Sequence, residues 1–450
     1  MGCCFAEICP IPTPTLPLKG REKCVGMFKL ALMRLRGNDR ESFVLHENGA
    51  GSVNDGDKGM PLQVAVVGGG IGGLSAALAM LKAGCDVQVY EQAPKFGEIG
   101  AGLQMSPNAS RLLHRLGLKS AMDAWGVRPL GVHQRRWDDG RTLQRAPLGR
   151  EVEAAFGAPY YHFHRGDLAA LLAAAMPKER AHAGHRLVGI EEKGARVIAR
   201  FENGASIEAD VLVGADGIHS RVRDLTFGPE QPRFTDCVAW RGLVPAERIA
   251  HLDIPVVSHN WMGPGGHCVH YWVSAKRLMN VVCIVERGTW TGESWNDKGR
   301  VADVLERYEG WHPTVRALIS AFPETFIWAL HDRAPLPHWT KGRITLLGDA
   351  CHPMLPMMAQ GAAQAIEDGA SLASLLQAMP DDVPAALARY EVVRKPRATR
   401  LQEGSAANRR RYHLPDGPDQ QQRDALMATN GDRTFEAVNW LYQHDAATAI

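Results

Sequence analysis

The sequence lacks several features that would define a class of function on their own. It has no run of about 18 apolar residues, so no segment is predicted to insert into a membrane. Lys and Arg number 51 against 49 Asp and Glu, and this balance gives no case for binding nucleic acid. The composition, 45% hydrophobic and 22% charged, is typical of a soluble globular protein.

Cysteine is too sparse for a disulfide framework. The chain has 9 cysteines in 450 residues and no C-x-x-C pair. Five lie scattered in apolar surroundings, namely Cys85, Cys237, Cys268, Cys283 and Cys351. This usage predicts reduced thiols and a cytoplasmic location.

Residues 1–60 differ from the rest of the chain. They are proline-rich, then polar and glycine-rich, and cannot form a core. We predict a disordered tail, or a reading frame that begins too early and whose natural start is Met60. No metal site is predicted, because Cys3, Cys4 and Cys9 lack a partner cluster and His352 has no matching His or acid.

What the chain does contain is a βαβ unit. The apolar residues 64–67 predict a buried parallel strand. Apolar residues at helical intervals up to Lys82 predict a helix that is stopped by Gly84. A second strand over 86–90 leads into Glu91, near the distance of about 20 residues expected for an acid that binds ribose.

Three glycines in G-x-G-x-x-G spacing, Gly68, Gly70 and Gly73, join the first strand to the helix. Glycine is needed there because a β-carbon would keep the backbone away from a pyrophosphate. The charge of that group is met by free N–H groups at the helix N-terminus. The ordered elements predict dinucleotide binding; the alternative is an ordinary strand–turn–helix corner.

The remaining chain alternates between two patterns. Buried strands are predicted over 210–213 and 343–347, each followed by a Gly-Asp or Asp-Gly turn. Between 234 and 288 an alternating, Val-, Trp- and Tyr-rich pattern indicates an antiparallel sheet. A helix is predicted over 299–320 and an exposed segment over 409–424. Asn203-Gly204 predicts a hairpin turn between strands over 196–201 and 205–208. At 450 residues, two closely packed domains with additional segments are expected.

Three stretches together carry a family resemblance: VVGGGIGGLSAALAMLKAGCDVQVYEQ, GADGIHSRVR and GRITLLGDACHPMLPMMAQGAAQAIEDG. Over about residues 62–400 the chain resembles the FAD-dependent single-component aromatic hydroxylases, whose flavin motifs are GxGxxG, DG and GD. The stretches FGEIGAGLQMSPNA and YEGWHPTVRALI are similar to salicylate, 3-hydroxybenzoate and 6-hydroxynicotinate hydroxylases.

The resemblance implies an α/β fold, a Rossmann-like FAD-binding domain of the glutathione-reductase type with an inserted antiparallel β-sheet substrate domain and C-terminal helices. The FAD-binding domain would comprise 61–130, 164–232 and 339–400, the substrate domain 131–163 and 233–338, and a C-terminal helical segment 401–450.

It also implies the cofactor contacts. Gly68, Gly70, Ile71 and Gly73 would hold the pyrophosphate, and Glu91 the adenosine ribose. Arg165 would bind an FAD phosphate or the ribityl chain, and Asp349 the pyrophosphate–ribityl segment. Asp216 and Gly217 would serve both FAD and nicotinamide access, Gly361 and Ala362 would contact the flavin pyrimidine ring, and Gln92 and Leu187 would be further FAD-binding residues. From the residues alone, Asp216 could equally be a turn former and Arg165 the partner of a surface acid.

The implied reaction uses NADH or NADPH and O2 to hydroxylate a small aromatic or heteroaromatic compound through a C4a-hydroperoxyflavin. The lack of a second G-x-G-x-x-G and of a C-x-x-C pair argues against a pyridine-nucleotide disulfide reductase. The alternatives are a flavin epoxidase or reductase acting on a hydrophobic substrate, and a non-catalytic FAD-binding protein. We expect a monomer or homodimer.

The chain departs from these relatives where a substrate would bind. Gln104 and Trp240 stand where relatives have His or Tyr, and Met357 lies in a loop that often supplies His or Gln. The predicted substrate region therefore comprises Gln104, Trp240 and the loop from Pro353 through Met357. Since the side chains that would deprotonate a phenol are missing there, either another group such as His270 acts as the base, or the substrate is already electron-rich, or it is less polar than a hydroxybenzoate.

Overall fold

The structure is a computed structural model that describes residues 60–97, 100–288, 297–429 and 435–450. The predictions made for residues 1–60 therefore lie outside the described residues, apart from Met60. Within the described ranges, no helix combines the length and the apolar character that crossing a membrane requires.

Nineteen strands are present in the described part of the chain: β1 (Gln63–Val67), β2 (Asp86–Glu91), β3 (Gly102–Met105), β4 (Gly131–Arg136), β5 (Thr142–Pro147), β6 (Tyr161–His164), β7 (Ala181–Ala183), β8 (Leu187–Lys193), β9 (Arg196–Phe201), β10 (Ser206–Ala209), β11 (Val211–Gly214), β12 (Arg233–Pro245), β13 (Ser258–Gly263), β14 (Gly266–Val273), β15 (Leu278–Glu286), β16 (Asp297–Gly299), β17 (Thr325–Asp332), β18 (Thr340–Lys341) and β19 (Ile344–Leu346).

The α-helices of the same ranges are α1 (Ile71–Lys82), α2 (Pro107–Arg115), α3 (Lys119–Trp125), α4 (Gly149–Phe156), α5 (Arg165–Ala175), α6 (Arg221–Phe227), α7 (Val301–Arg307), α8 (Pro313–Ser320), α9 (Gly361–Ala378), α10 (Val383–Tyr412), α11 (Pro418–Thr429) and α12 (Glu436–Tyr442).

A six-stranded sheet carries the βαβ unit, in the order β18-β19-β11-β1-β2-β7. Its pairs are parallel except β18 with β19. Apart from Gln63 every residue of β1 is buried, as expected for a strand covered on both faces. Helix α9 crosses α1 so closely that a β-carbon on Gly369 would lie 2.6 Å from Cα of Ala76. The small residues of both helices permit this crossing, which places the N-terminus of α9 at the carboxyl end of the sheet.

A second sheet has eight strands in the order β16-β17-β12-β15-β14-β13-β4-β5. Its pairs are antiparallel except β13 with β4, which is parallel. Helices α7 and α8 cover one face, where the apolar core includes Tyr308, Val315 and Leu318. On the other face, side chains of β12 and β15 pack against Leu355 and Met357 of the loop before α9. The second face therefore meets the loop that follows β19.

Three sequence-based expectations are corrected. The helix predicted over 299–320 is two helices, because Pro313 takes the first position of α8 and His312 accepts a hydrogen bond from Thr314 N as its cap. The segment after α10, predicted to be exposed, contains α11, which buries Arg423. The domain boundary predicted at residue 400 falls inside α10, which runs to Tyr412 without a break.

Candidate active site

The glycine turn after β1 is packed against the loop that follows β11. Gly68 has φ +112°, and a β-carbon there would lie 2.3 Å from the carbonyl oxygen of Ala215. A β-carbon on Gly73 would lie 2.0 Å from the carbonyl oxygen of Gly68. No side chain caps Gly70 at the start of α1, and the first turn contains no acid. The N-terminus of α1 therefore presents the positive end of the helix dipole without a side-chain cap or an acid of its own, which suits an anion.

Glu91 is fixed beside this turn at the carboxyl end of β2. Its Oε2 accepts a hydrogen bond from Gly69 N (2.7 Å), and its Oε1 accepts one from Ala93 N (2.8 Å). Each carboxylate oxygen keeps a second lone pair, so a ribose hydroxyl can still bind. Gln92 is exposed next to it, whereas Leu187 is buried at the start of β8.

Asp216 of the Asp-Gly motif binds the N-terminal N–H groups of a helix. Asp216 accepts hydrogen bonds from Ser220 Oγ (2.5 Å), Arg221 N (2.7 Å) and Val222 N (3.1 Å), so it caps the N-terminus of α6. Burial raises the pKa of Asp216, although these donors favour the charged form. Gly217 has φ +79°, a conformation that favours glycine. The cofactor roles proposed for both residues stay predictions beside this capping role.

Asp349, Gly361 and Arg165 lie at the loops around the carboxyl end of the sheet. Asp349 is exposed in a turn directly after β19, and a β-carbon on Gly361 would lie 3.9 Å from its Oδ1. Asp349 and the N-terminus of α9, where Gly361 and Ala362 begin the helix, therefore face the same space. The aliphatic stem of Arg165 packs on Gly100, where a β-carbon would lie 3.0 Å from Cδ of the arginine.

A buried ion network below α9 holds the turn that carries Asp349. Asp368 accepts hydrogen bonds from Gly348 N (2.9 Å), His352 Nε2 (2.6 Å) and Arg394 Nε (2.8 Å). Burial opposes the charge of Asp368, but His352 and Arg394 outweigh it and hold its pKa at about 2. Arg394 also binds Glu367 at 2.6 Å. Sequence reasoning did not find this network; the only signal was an acid pair within a helix of small residues.

His352 lies beside two other potential metal ligands, which the sequence did not predict. Cys351, His352 and Asp368 each place one potential metal-ligating atom within 4.8 Å of the others. The expectation that no acid accompanies His352 is therefore wrong. Because both oxygens of Asp368 are already bound by donors, one of them the cation Arg394, the cluster is better suited to an ion pair than to a metal.

The face of the second sheet that packs against the loop before α9 borders the loop predicted to contact the substrate, and we call this face the substrate side. Tyr271 on β14 and His162 on β6 are in contact, with ring centroids 4.4 Å apart. Gly102 on β3 donates its N–H to Asn280 Oδ1 at 2.7 Å, and a β-carbon on it would lie 2.7 Å from the ring of Tyr271. The glycine loop after β2 is thereby held against the sheet.

Two residues predicted for the substrate site lie on the opposite face. Trp240 packs in the core under α7 and α8, and His270 is buried where it stacks on His259 at 4.6 Å. Burial, assisted by Arg135, lowers the pKa of His270 to about 3. Neither residue fits the proposed role. Because strand side chains alternate, a shift of one residue reverses the face, and the substrate side carries Arg241 and Tyr271 instead.

The other predicted substrate residues lie on the substrate side or in its loop. Gln104 on β3 accepts a hydrogen bond from Tyr160 Oη at 2.8 Å and stands opposite His162 in the pairing of β3 with β6. Met357 belongs to the apolar cluster with residues of β12 and β15. Pro353 is buried, and its carbonyl oxygen accepts a hydrogen bond from Gln402 Nε2 at 3.0 Å.

Arg241 is the most unusual polar group on this face. Its guanidinium lies over the ring of Trp328, 4.2 Å from the ring centroid. Its Nε is shielded from solvent and has no hydrogen-bond partner, and no ion pair to its side chain occurs among the described residues. Burial lowers its pKa to about 10, although Tyr271 counteracts this effect. An anionic group would satisfy this cation.

Comparisons with known proteins agree with the geometry. A family model described as an FAD binding domain matches residues 61–405. A 3-amino-4-hydroxybenzoate 2-monooxygenase of Streptomyces platensis is 40% identical over 386 residues, 86% of this chain and 96% of that protein. A 6-hydroxynicotinate 3-monooxygenase of Pseudomonas fluorescens is 39% identical over 77% of this chain and 91% of its own length.

Solved structures show the same fold. The structure of Klebsiella pneumoniae HpxO complexed with FAD and uric acid has a TM-score of 0.75 and 27% identity, covering 85% of this chain and 96% of that one. A salicylate hydroxylase substrate complex has a TM-score of 0.73 and 27% identity, covering 86% and 97%. The predicted fold class and FAD as the cofactor are confirmed. The glycine turn, the open N-terminus of α1 and the carboxylate of Glu91 fit FAD, and the chain belongs to the FAD-binding family of aromatic hydroxylases and is a flavoprotein monooxygenase.

Proposed function

We propose that this monooxygenase hydroxylates an aromatic or heteroaromatic carboxylate that also carries a hydroxyl or amino group. The observation that carries the proposal is Arg241, a partly buried cation without an anionic partner among the described residues, on the face that meets the loop before α9. The names of the relatives support it, since 3-amino-4-hydroxybenzoate and 6-hydroxynicotinate both combine a carboxylate with a ring hydroxyl.

Each group on the substrate side has a defined task in this proposal. Arg241, held flat by Trp328, pairs with the substrate carboxylate and sets the orientation of the ring. Leu355 and Met357 pack against the sheet and keep water away from the ring. FAD, when bound, supplies the redox chemistry with NAD(P)H and O2, which is typical of the family.

His162 is the candidate hydrogen-bond acceptor for the ring substituent, acting as a neutral imidazole. Burial lowers its pKa to about 3, so the imidazole is neutral at ordinary pH. Its hydrogen bond to the backbone of Trp272 leaves Nε2, which has no hydrogen-bond partner, as the accepting nitrogen. His162 contacts Tyr271, and in this proposal these two residues, rather than His270, orient the ring substituent.

Arg241→Met is expected to raise KM for the carboxylate substrate by at least about tenfold, the loss of one charge-assisted pair. NAD(P)H consumption and product mass would be measured with hydroxy- and aminobenzoates, hydroxynicotinates and their primary amides. Arg400→Met is the matched control, because Arg400 also stacks on a tryptophan, Trp440, at 3.6 Å but is exposed on α10. Equal turnover of acids and amides by the unaltered enzyme would contradict the proposal.

Tyr271→Phe is expected to lower kcat/KM by roughly tenfold or more, because it removes a hydroxyl on the substrate side. His270→Gln, on the neighbouring position of the same strand but on the opposite face, should leave the pH–rate profile unchanged. Steady-state kinetics between pH 6 and 9 would compare the two. A changed profile for His270→Gln alone would restore that residue as the base.

Isotopically labelled O2 separates the remaining alternatives. Incorporation of one oxygen atom as a ring hydroxyl supports hydroxylation, an epoxide supports the epoxidase, and a product without labelled oxygen supports the reductase. Our expectation of a cytoplasmic monomer or homodimer stays a prediction, which gel filtration with light scattering would test for the oligomeric state.

A further inference from the structure

A second cluster of chemically active side chains lies at one end of the second sheet, where β12 and β15 meet the C-terminal end of α10. Cys237 and Glu286 stand directly opposite each other in the antiparallel pairing of β12 with β15, so their side chains point to the same face. His413 follows α10 directly and places Nδ1 3.1 Å from Glu286 Oε1. One potential ligand atom of each of the three residues lies within 4.8 Å of the others.

We propose that Cys237 Sγ, the Glu286 carboxylate and His413 Nδ1 form a binding site for Zn²⁺, with water as the fourth ligand. Thiolate, imidazole and carboxylate are the donor types that zinc prefers over Mg²⁺ or Ca²⁺. The distance between Nδ1 and Oε1 is close to the separation of roughly 3.3 Å between two ligands of a tetrahedral zinc with bonds of about 2.0–2.1 Å. Glu286 is exposed and opens the site to solvent, whereas Cys237 and His413 are buried.

The ring of His413 is held in a fixed orientation by a neighbouring side chain. In zinc sites, a hydrogen bond from the second ring nitrogen of a histidine ligand has the same effect. His267 Nδ1 lies 2.7 Å from His413 Nε2, so the second nitrogen of His413 is already in a hydrogen bond. Burial lowers the pKa of His413 although Glu286 favours its charged form, and the neutral ring is the form that binds metal. The backbone is also fixed, because Gly265 N donates to the carbonyl oxygen of His413 at 3.0 Å.

Zinc binding would replace a proton at Cys237. Burial, with Arg409 counteracting it, raises the pKa of this thiol to about 11, so the free protein holds it as S–H. On binding, the S–Zn bond forms and the thiol proton passes to solvent, with no change of oxidation state. The cation lies at the C-terminal end of α10, where the helix dipole favours positive charge.

The other candidate cluster is less suited to a metal. Cys351, His352 and Asp368 are all buried, and both oxygens of Asp368 already accept hydrogen bonds, so no oxygen of this carboxylate is left for a metal without breaking them. The exposed edge at Glu286 has the solvent path that this cluster lacks. Bound zinc would join α10 to the sheet next to Tyr412, whose Oη is 3.4 Å from the carbonyl oxygen of Met357 in the substrate loop.

The test measures zinc directly on the full chain loaded with FAD. After removal of metals with a chelator, the protein is dialysed against ZnCl2, zinc is counted by mass spectrometry, and the affinity is measured by competition with a chromophoric chelator. Thiols elsewhere contribute equally to every variant, so the result is the difference from the unaltered protein. We expect one zinc fewer per chain, or affinity at least about tenfold weaker, in Cys237→Ser, His413→Gln and Glu286→Gln, since even outer partners of a ligand contribute 10–100-fold.

Glu286→Gln keeps the proposal falsifiable if the buried variants do not fold, because Glu286 is exposed. Its melting temperature without metal should match that of the unaltered protein, and added ZnCl2 should raise the melting temperature of the unaltered protein more than that of Glu286→Gln. Cys351→Ser is the control and should retain the zinc. Equal zinc binding by the unaltered protein and Glu286→Gln, or loss of zinc in Cys351→Ser, would overturn the proposal.

Discussion

Gly73→Ala is expected to abolish detectable FAD binding, with affinity at least about 100-fold weaker, equivalent to about 2.7 kcal/mol. The added β-carbon would lie 2.0 Å from the carbonyl oxygen of Gly68, so the turn between β1 and α1 must open. That turn leads into the uncapped N-terminus of α1, which would meet the pyrophosphate. Quenching of flavin fluorescence on titration of the apoprotein measures the effect.

Gly189→Ala is the matched control for this substitution. It also places a methyl group on a glycine within a regular element, β8, but the new β-carbon would have only an ordinary contact, 3.9 Å from Cβ of Arg200. FAD binding should be unchanged there. Normal flavin binding by Gly73→Ala would show that the turn can rearrange, and that neither close backbone packing nor cofactor approach demands glycine at this position.

Arg394→Met should cause the second large effect, a loss of roughly 3–5 kcal/mol in the free energy of unfolding. The substitution leaves Glu367 and Asp368 buried without the cation that contacts both at 2.6 and 2.8 Å. The free energy of unfolding of Arg394→Lys should lie between the values for the unaltered protein and Arg394→Met, because an ammonium group cannot reproduce both contacts of the planar guanidinium. Urea unfolding followed by circular dichroism would give the three values.

A surface ion pair provides the comparison for Arg394. Lys119 and Asp123 are 2.7 Å apart on α3 and largely exposed, so Lys119→Ala should change the free energy of unfolding by about 0.5 kcal/mol or less. An equally small change in the free energy of unfolding for Arg394→Met would mean that the variant structure relaxes, or that its buried carboxylates take up protons, at little cost in free energy. The buried network would then not stabilise the turn that carries Asp349.

The same network predicts a pH dependence with a definite sign. Burial opposes the charges of Glu367 and Asp368, but the arginines and His352 hold both pKa values at about 2. Because these values lie below the usual ones near 4.5 and 3.8, the stability that they contribute is fully present above about pH 4.5 and is lost as the pH falls toward 2. The difference in the free energy of unfolding between the unaltered protein and Arg394→Met should therefore become smaller as the pH is lowered.

The local sequence was sufficient wherever one segment determines its own structure. The βαβ unit, its glycine turn and Glu91 were predicted together, since strand, turn and helix signals are adjacent in the chain and their order is required by the geometry. The hydroxylase resemblance rests on three such local motifs, and the family comparison confirms it. The NG turn between β9 and β10 was also correct, for the same reason.

The features that the sequence did not predict depend on packing between segments that are distant in the chain. The sequence showed that β12 and β14 alternate, but not which face would meet the loop before α9, so Trp240 and His270 were chosen in place of their neighbours Arg241 and Tyr271. Likewise Asp216 was predicted as a cofactor ligand, and only the tertiary structure shows it capping α6.

The sequence by itself therefore determined the cofactor class, the order of the elements and the position of the glycine turn. Only the tertiary structure decided which side chains share the substrate face, that Glu367 and Asp368 are bound by Arg394 from another helix, and that Cys237, Glu286 and His413 meet. The physical reason is that these groups lie far apart along the chain, with the positions of Cys237 and His413 alone 176 residues apart. Their proximity depends on how helices and sheets pack, which no local pattern of propensity or periodicity specifies.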